Sequence, residues 1–222
     1  MIKFNHVSKS FEDGNGKRVI LKDSTIVFEE NRISGIIGRS GLGKTTLLKM
    51  ILGLINVDEG FVEINGVRVK PDSPLELEHL RRNITGCVFQ NFNLISSLTV
   101  EENILLPTYF NDSTPANIHR LLDLLGLPKS ILTQSVNTVS GGEKQRIAIA
   151  RALINNPRVL LADEPTGNLD LQNENAVIEL FKRINRELGL TILLVTHSQN
   201  MALNADKLYT IKDYIIVETQ YM

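Results

Sequence analysis

Four short apolar runs, each cut off by polar residues or glycine, constrain this chain most. They are Ile33-Ser34-Gly35-Ile36-Ile37 before Gly38, and Gly86-Cys87-Val88-Phe89 before Gln90. Then come Val159-Leu160-Leu161-Ala162 before Asp163-Glu164, and Thr191 to Val195 before Thr196-His197. A strand with one wet face alternates polar and apolar residues, whereas a strand covered on both faces reads as an unbroken apolar run. The runs predict an α/β core with a mainly parallel sheet between helices. In open sheets of this kind, ligands sit beyond the carboxyl ends of the strands. Those ends here carry a glycine loop, an amide, two carboxylates and an imidazole.

The remaining punctuation fills in the order of elements. The N-terminal part reads as strands and turns, with turns at Asp13-Gly14-Asn15-Gly16 and Asp58-Glu59-Gly60 and a hairpin signal at Asn65-Gly66. Helices are predicted over Thr45 to Leu54, from Thr114-Pro115 to Gly126, over Gly141 to Asn155 before Pro157, and over Leu171 to Leu188 before Gly189. The block from about residue 91 to 156 is mostly helical and no Pro/Gly/Ser-rich linker borders it. The expectation is therefore one domain over 1–222, with an α/β core (1–90 and 157–222) and an inserted helical lobe (about 91–156).

Composition removes several function classes. Lys plus Arg is 24 and Asp plus Glu is 25, for a formal net charge of −1. A chain that coats nucleic acid is usually more basic, so no nucleic-acid partner is expected. The single cysteine, Cys87, has no internal disulfide partner, which suits a reducing cytoplasm. No apolar run approaches the roughly 18 to 20 residues of a spanning helix, and Met1 to His6 lacks a leader pattern. Any link to a membrane is expected to go through a partner.

The motifs carry phosphate chemistry. Gly38-Arg39-Ser40-Gly41-Leu42-Gly43-Lys44-Thr45 matches G-x-x-x-x-G-K-S/T in full, after an apolar run and before a helix. Its glycines let backbone N–H groups wrap phosphate oxygens at a helix N-terminus. Lys44 adds a cation for the outer phosphates, and the Thr45 hydroxyl, with Thr46 beside it, is placed for Mg²⁺. Asp163, ending the third apolar run, matches the carboxylate that holds Mg²⁺ in such sites, directly or through water. Glu164 is a candidate general base for an attacking water; its competing reading is a turn residue before Pro165. Of four histidines only His197 ends a buried run, where it can hydrogen-bond a γ-phosphate or the attacking water. His79 and His119 read as solvated or packed, His6 sits on an early strand, and Cys87 reads as packed. Ser140-Gly141-Gly142-Glu143 is a capping box on its face, but two glycines in a first turn also suit close approach to an anion.

Together, GRSGLGKT, Gln90, VSGGEKQR over Val139 to Arg146, LLADEP over Leu160 to Pro165, Asn168-Leu169-Asp170 and His197 resemble the ATP-binding subunit of a bacterial ABC transporter. The match runs in order over nearly the whole chain. DEPTGNLD, FQNFNL and the short length look like the lipoprotein-release, macrolide-efflux, bacteriocin-export and cell-division group. The resemblance implies a P-loop NTPase fold with an N-terminal antiparallel β subdomain and a helical lobe, and ATP and Mg²⁺ as ligands. It assigns Gln90 to Mg²⁺ and coupling, and Ser140, Gly141 and Gly142 to the γ-phosphate of a partner subunit's ATP. It makes Asp170 a link across that dimer, His197 a γ-phosphate switch, and Phe11 an aromatic that stacks on adenine. The implied partners are a second copy of the chain and a transmembrane permease subunit, with the protein peripheral on the inner face of the cell membrane.

Three residues depart from the family pattern. Glu143 stands where Gln is common, Val139 where Leu is usual, and Tyr214 where a turn glycine is common, so the last hairpin is expected to differ. A second function class also fits the motifs: a non-transporting regulator acting through a membrane partner, as in cell division. One motif set without a long coiled-coil insertion speaks against ABC ATPases of translation or DNA repair.

Overall fold

A computed structural model describes residues 1–14, 16–39, 41–69, 73–111, 114–167 and 171–220, with only the main chain for Asp13, Leu171 and Gln172. The chain opens on a long antiparallel pair, β1 (Ile2–Asp13) and β2 (Gly16–Phe28). It continues through β3 (Ile33–Ile37), the glycine loop and α1 (Lys44–Ile51). A hairpin, β4 (Glu59–Ile64) and β5 (Val67–Arg68), returns to pair β4 with β1. Then α2 (Pro74–His79) and a π-helical turn over Leu80–Ile84 lead into β6 (Thr85–Val88). The helical block holds α3 (Val100–Leu105), a 3-10 stretch Leu106–Phe110, α4 (Ile118–Leu125), a 3-10 turn Lys129–Ile131 and α5 (Gly141–Leu153). Last come β7 (Val159–Asp163), α6 (Leu171–Leu188), β8 (Thr191–Thr196), α7 (Gln199–Leu203), β9 (Lys207–Lys212) and β10 (Ile215–Thr219).

The four apolar runs form one parallel array. The six-stranded sheet has the order β10-β9-β3-β8-β7-β6, and a four-stranded antiparallel sheet has the order β2-β1-β4-β5. Ile36 pairs with Val195, Leu194 with Ala162, and Ala162 with Val88, all in parallel register. Alternate residues of β7 feed two apolar clusters. Leu160 and Ala162 pack with Ile192, Leu194 and α4, α5 and α6, while Val159 and Leu161 pack with Leu193, Val195, α1 and the N-terminal sheet. Both faces are covered, which is why these strands lack polar alternation. Each such Leu or Ile contributes about 1.5–3 kcal/mol relative to exposure. The strand order also sets the site: β7 lies beside β8 and β8 beside β3, so their carboxyl-end residues meet at one edge.

Several boundaries differ from expectation for local reasons. The helix after the glycine loop stops at Ile51, not Leu54, because Gly53 takes φ 62 and ends it. Helix α4 is capped by Asn117, whose Oδ1 accepts from the amides of His119 (3.0 Å) and Arg120 (3.2 Å), not by Thr114-Pro115. Asn is a strong N-cap, and here its side chain reaches both amides. Glu59-Gly60 opens β4 in place of a turn. Gly60 has φ 73, and a Cβ there would meet the His6 carbonyl oxygen at 2.2 Å, so only glycine fits against β1. The last hairpin closes with Lys212 opposite Ile215, and Asp213 and Tyr214 both take positive φ (50 and 64). Tyr214 adopts the left-handed backbone that glycine takes freely, and its carbonyl accepts from Lys22 N at 2.9 Å. Cys87 is largely packed, and burial pushes its thiol up to about 12, so it stays protonated.

Candidate functional site

The glycine loop is held by close approach. Gly41 and Gly43 take φ 84 and 92, and a Cβ on Gly43 would lie 2.5 Å from Ile20 Cγ2 of β2. Lys44 opens α1 and is 7% exposed. Its Nζ donates to the carbonyls of Gly38 (2.7 Å) and Arg39 (3.3 Å) and lies 3.4 Å from Glu164 Oε1. Ser40 lies outside the described residues.

The two carboxylates ending β7 do different things. The Thr45 hydroxyl donates to Asp163 Oδ1 at 3.2 Å. Burial pushes the Asp163 carboxyl above the usual range; Thr45 opposes this and the charge of Glu164 adds to it. A hydroxyl and a carboxylate oxygen at hydrogen-bond distance form the hard donor set that Mg²⁺ takes, together with phosphate oxygens. Glu164 has φ 47, which swings its side chain off the strand direction. Its amide donates to Val195 O at 2.9 Å, and its Oε2 accepts from His197 N (3.0 Å) and faces His197 Nδ1 (2.8 Å). Glu164 thus sits between Lys44 and His197.

Phe11, Lys44, Thr45, Thr46, Gln90 and Glu164 line one cleft of about 320 Å³. The structure therefore brings together residues from β1, α1, the turn after β6 and the end of β7. Phe11 is 39% exposed at the cleft mouth, with Lys9 Nζ 5.0 Å from its ring centre. Arg18 lines the same cleft, a residue that no motif marked. It is the cross-strand partner of Phe11, and its guanidinium donates to the Gly41 carbonyl. The turn expected at residues 13–16 was the available signal, because pairing Asp13 with Gly16 places 18 opposite 11.

The Ser-Gly-Gly segment stands apart from this cleft. Ser140 caps α5: its Oγ accepts from Glu143 N (3.3 Å), while its hydroxyl (2.7 Å) and amide (2.8 Å) donate to Glu143 Oε2. Those two bonds, the hydroxyl's first, hold the Glu143 carboxyl below the usual range. A Cβ on Gly141 would have nothing within 4 Å, and one on Gly142 only Asn173 Oδ1 at 3.7 Å. The backbone there is open to approach from outside. Asp170, with Asn168 and Leu169, lies outside the described residues.

Several known proteins are similar to this chain over most of its length. A family model described as "ABC transporter" matches residues 21–167. The chain is 38% identical to the "Macrolide export ATP-binding/permease protein MacB" of Rhodopirellula baltica, over 98% of this chain and 33% of that protein. It is 43% identical to the "Methionine import ATP-binding protein MetN" of Haemophilus influenzae, over 90% of this chain and 59% of that protein. The chain thus spans about a third of one relative and just over half of the other. Among solved structures it matches a dimeric, post-hydrolysis state of the ATP-binding cassette MJ0796 bound to ADP and Pi. The TM-score is 0.86 at 35% identity, covering 99% of this chain and 98% of that one.

Proposed function

The chain belongs to the ABC transporter family, and from that premise we propose that it binds and hydrolyses ATP as a dimer that powers a separately encoded membrane permease. The observation that carries the reading is Glu164 held between Lys44 (3.4 Å) and His197 (2.8 Å), at a cleft that also contains Thr45 and Phe11. ATP lies along the glycine loop, with Phe11 against the adenine and Lys44 on the outer phosphates. Thr45 and Asp163, with Gln90, hold Mg²⁺, which neutralises phosphate charge when bound. Glu164 orients and deprotonates the attacking water, and His197 contacts the γ-phosphate. Ser140, Gly141 and Gly142 of one copy close on the nucleotide of the other, with Asp170 linking the two. The dimeric cassette with ADP and Pi, similar over nearly its full length, supports both the pairing and the hydrolysis.

The permease contact is assigned to the segment that follows Gln90. Phe92 and Asn93 take positive φ, and Arg151 donates to both of their carbonyls at 2.6 Å, making a braced turn. Beside it a groove of about 500 Å³ runs past Leu54, Phe89, Pro107 and Phe110. Phe110 is 57% exposed and Tyr109 71%, apolar surface suited to a helix from a membrane subunit. No described helix is long and apolar enough to cross a membrane itself, and we place the protein at the inner face of the membrane through its permease. Export is the direction we assign, from the macrolide-export match over 98% of the chain. The deciding experiment is nucleotide titration with Mg²⁺. The wild-type chain should bind ATP, and Lys44→Ala, which removes the cation for the outer phosphates, should lose binding. Equal affinity of the two would overturn the reading.

A further inference from the structure

Glu174 is a buried carboxylate that the proposed mechanism does not use. It is 7% exposed, in the first turn of α6. Its Oε1 accepts from the Thr166 hydroxyl at 3.2 Å and from the Ser198 hydroxyl, and its Oε2 from Asn200 Nδ2 at 3.5 Å. All three donors are neutral. A carboxylate taken from water is destabilising unless compensated. Here the compensation is three donors and the positive end of α6. A neutral or apolar residue would fold at this position with less to offset.

The donors identify what the carboxylate connects. Thr166, itself 5% exposed, lies two residues after Glu164, in the turn that ends β7. Ser198 follows His197 in the turn that ends β8, where its amide donates to Thr196 Oγ1 at 2.9 Å and its Oγ accepts from Met201 N at 3.1 Å. Among the described residues the two turns are also joined by Glu164 Oε2 with His197, and Thr166 reaches Met201 Sδ at 3.7 Å just beyond Ser198. Glu174 is thus a second clamp, behind the first and away from the cleft. It also sits four residues after Asp170, on the helix that the proposed dimer link leads into.

We infer that Glu174 is a positioning residue: it fixes the β7 and β8 turns relative to each other, so that Glu164 and His197 hold the spacing hydrolysis needs, and it ties that spacing to α6. The inference rests on the hydrolysis site proposed above. Its signature is a loss in turnover without a loss in nucleotide binding. A misplacement of about 1 Å in a catalytic group can cost on the order of 100-fold.

The test is steady-state ATPase on the full chain for Glu174→Ala and Glu174→Gln, alone and combined with His197→Ala. Glu174→Ala should lower kcat by about 10- to 100-fold, with KM for MgATP unchanged within about twofold. Glu174→Gln, which keeps an acceptor oxygen, should fall between wild type and Ala. In the His197→Ala background the same substitution should cost no more than about twofold further, because residues acting as one unit are not additive. Losses that multiply in the double variant, or a KM that rises at constant kcat, would overturn the inference. A purely structural role would lower the melting temperature and leave kcat and that coupling alone. If Glu174→Ala fails to fold, the Gln variant decides on the same readouts. Glu164→Gln run alongside separates the two levels: if it turns over like wild type, the hydrolysis site itself is wrong, and if it is inactive while both Glu174 variants turn over like wild type, only Glu174 is misassigned.

Discussion

One oxygen of Glu164, Oε2, takes both the backbone N–H of His197 (3.0 Å) and its ring Nδ1 (2.8 Å). The other oxygen faces Lys44 Nζ at 3.4 Å. Glu164, His197 and Lys44 are therefore one polar unit, hydrogen-bonded on the His197 side and ion-paired on the Lys44 side, set by the adjacency of β3, β8 and β7 in the sheet.

Replacing Glu164 by Gln keeps the shape of that unit and removes the base. ATP binding should persist while hydrolysis slows by about 10²- to 10⁴-fold, the usual weight of general-base catalysis. ATP-bound dimers should then accumulate in size-exclusion runs. Near-normal turnover would reduce Glu164 to a turn residue before Pro165.

The legibility of the site follows from its chemistry. The P-loop, Asp163, Glu164 and His197 each lie at the end of an apolar run, so local patterning alone placed them on one sheet edge. Gln90 also ends such a run but took its role from the resemblance, Phe11 depended on the resemblance altogether, and the structure sets both at the cleft. Arg18, signalled only through the turn expected at 13–16, and Glu174 went unmarked for a different reason. Their partners, Gly41 for the first and Thr166 and Ser198 for the second, are joined to them only by strand pairing and by packing of α6. Periodicity reports which face is buried, but it does not report which polar groups meet there. The misplaced helix start near Thr114 is a smaller case: Asn117 competes as a cap within the same turn, and propensity ranks the two closely.

Arg18 brings a cation to the mouth of the cleft, opposite Phe11. Arg18→Ala should weaken binding of ATP and ADP alike by about tenfold, the scale of one hydrogen bond to a charged group. The deficit should shrink as ionic strength rises, since the residue is exposed. Affinity indistinguishable from wild type would mean that Arg18 only braces the Gly41 carbonyl.

In the proposed dimer, Glu143 competes with the partner's nucleotide for the Ser140 hydroxyl. The carboxylate takes that hydrogen at 2.7 Å and also adds a negative charge near the open face at Gly141. Glu143→Gln weakens the first effect and removes the second, so ATP-driven dimerisation should tighten. The fold should lose a few tenths to about 1 kcal/mol of capping. The folded carboxyl lies below the ordinary glutamate range. Its contribution to stability is therefore fully present above that range and lost as pH falls from there through the lowered folded value. Melting curves of the Gln variant should lack this part of the acid slope. An unchanged dimerisation constant would leave Ser140 and Glu143 as a cap and nothing more.

The shared site gives the most decisive test. Lys44 lies in the cleft with Thr45 and Glu164, whereas Ser140 caps α5 and does not line it. In the proposed dimer the two act on one nucleotide from different copies of the chain. Lys44→Ala disables the P-loop, and Ser140→Arg puts a bulky cation where the backbone must approach a phosphate. Each homodimer then has two broken sites. A mixed dimer has one site with both defects and one with an intact P-loop facing an intact Ser-Gly-Gly segment. Mixing the two purified variants should restore ATP-dependent association, and hydrolysis to the extent that one site fires alone. A site formed within one chain would leave every site in the mixture broken. With subunit exchange demonstrated by labelled protomers and folding checked by melting curves, a mixture as inactive as its parts would remove the shared site and leave Ser140 a helix cap.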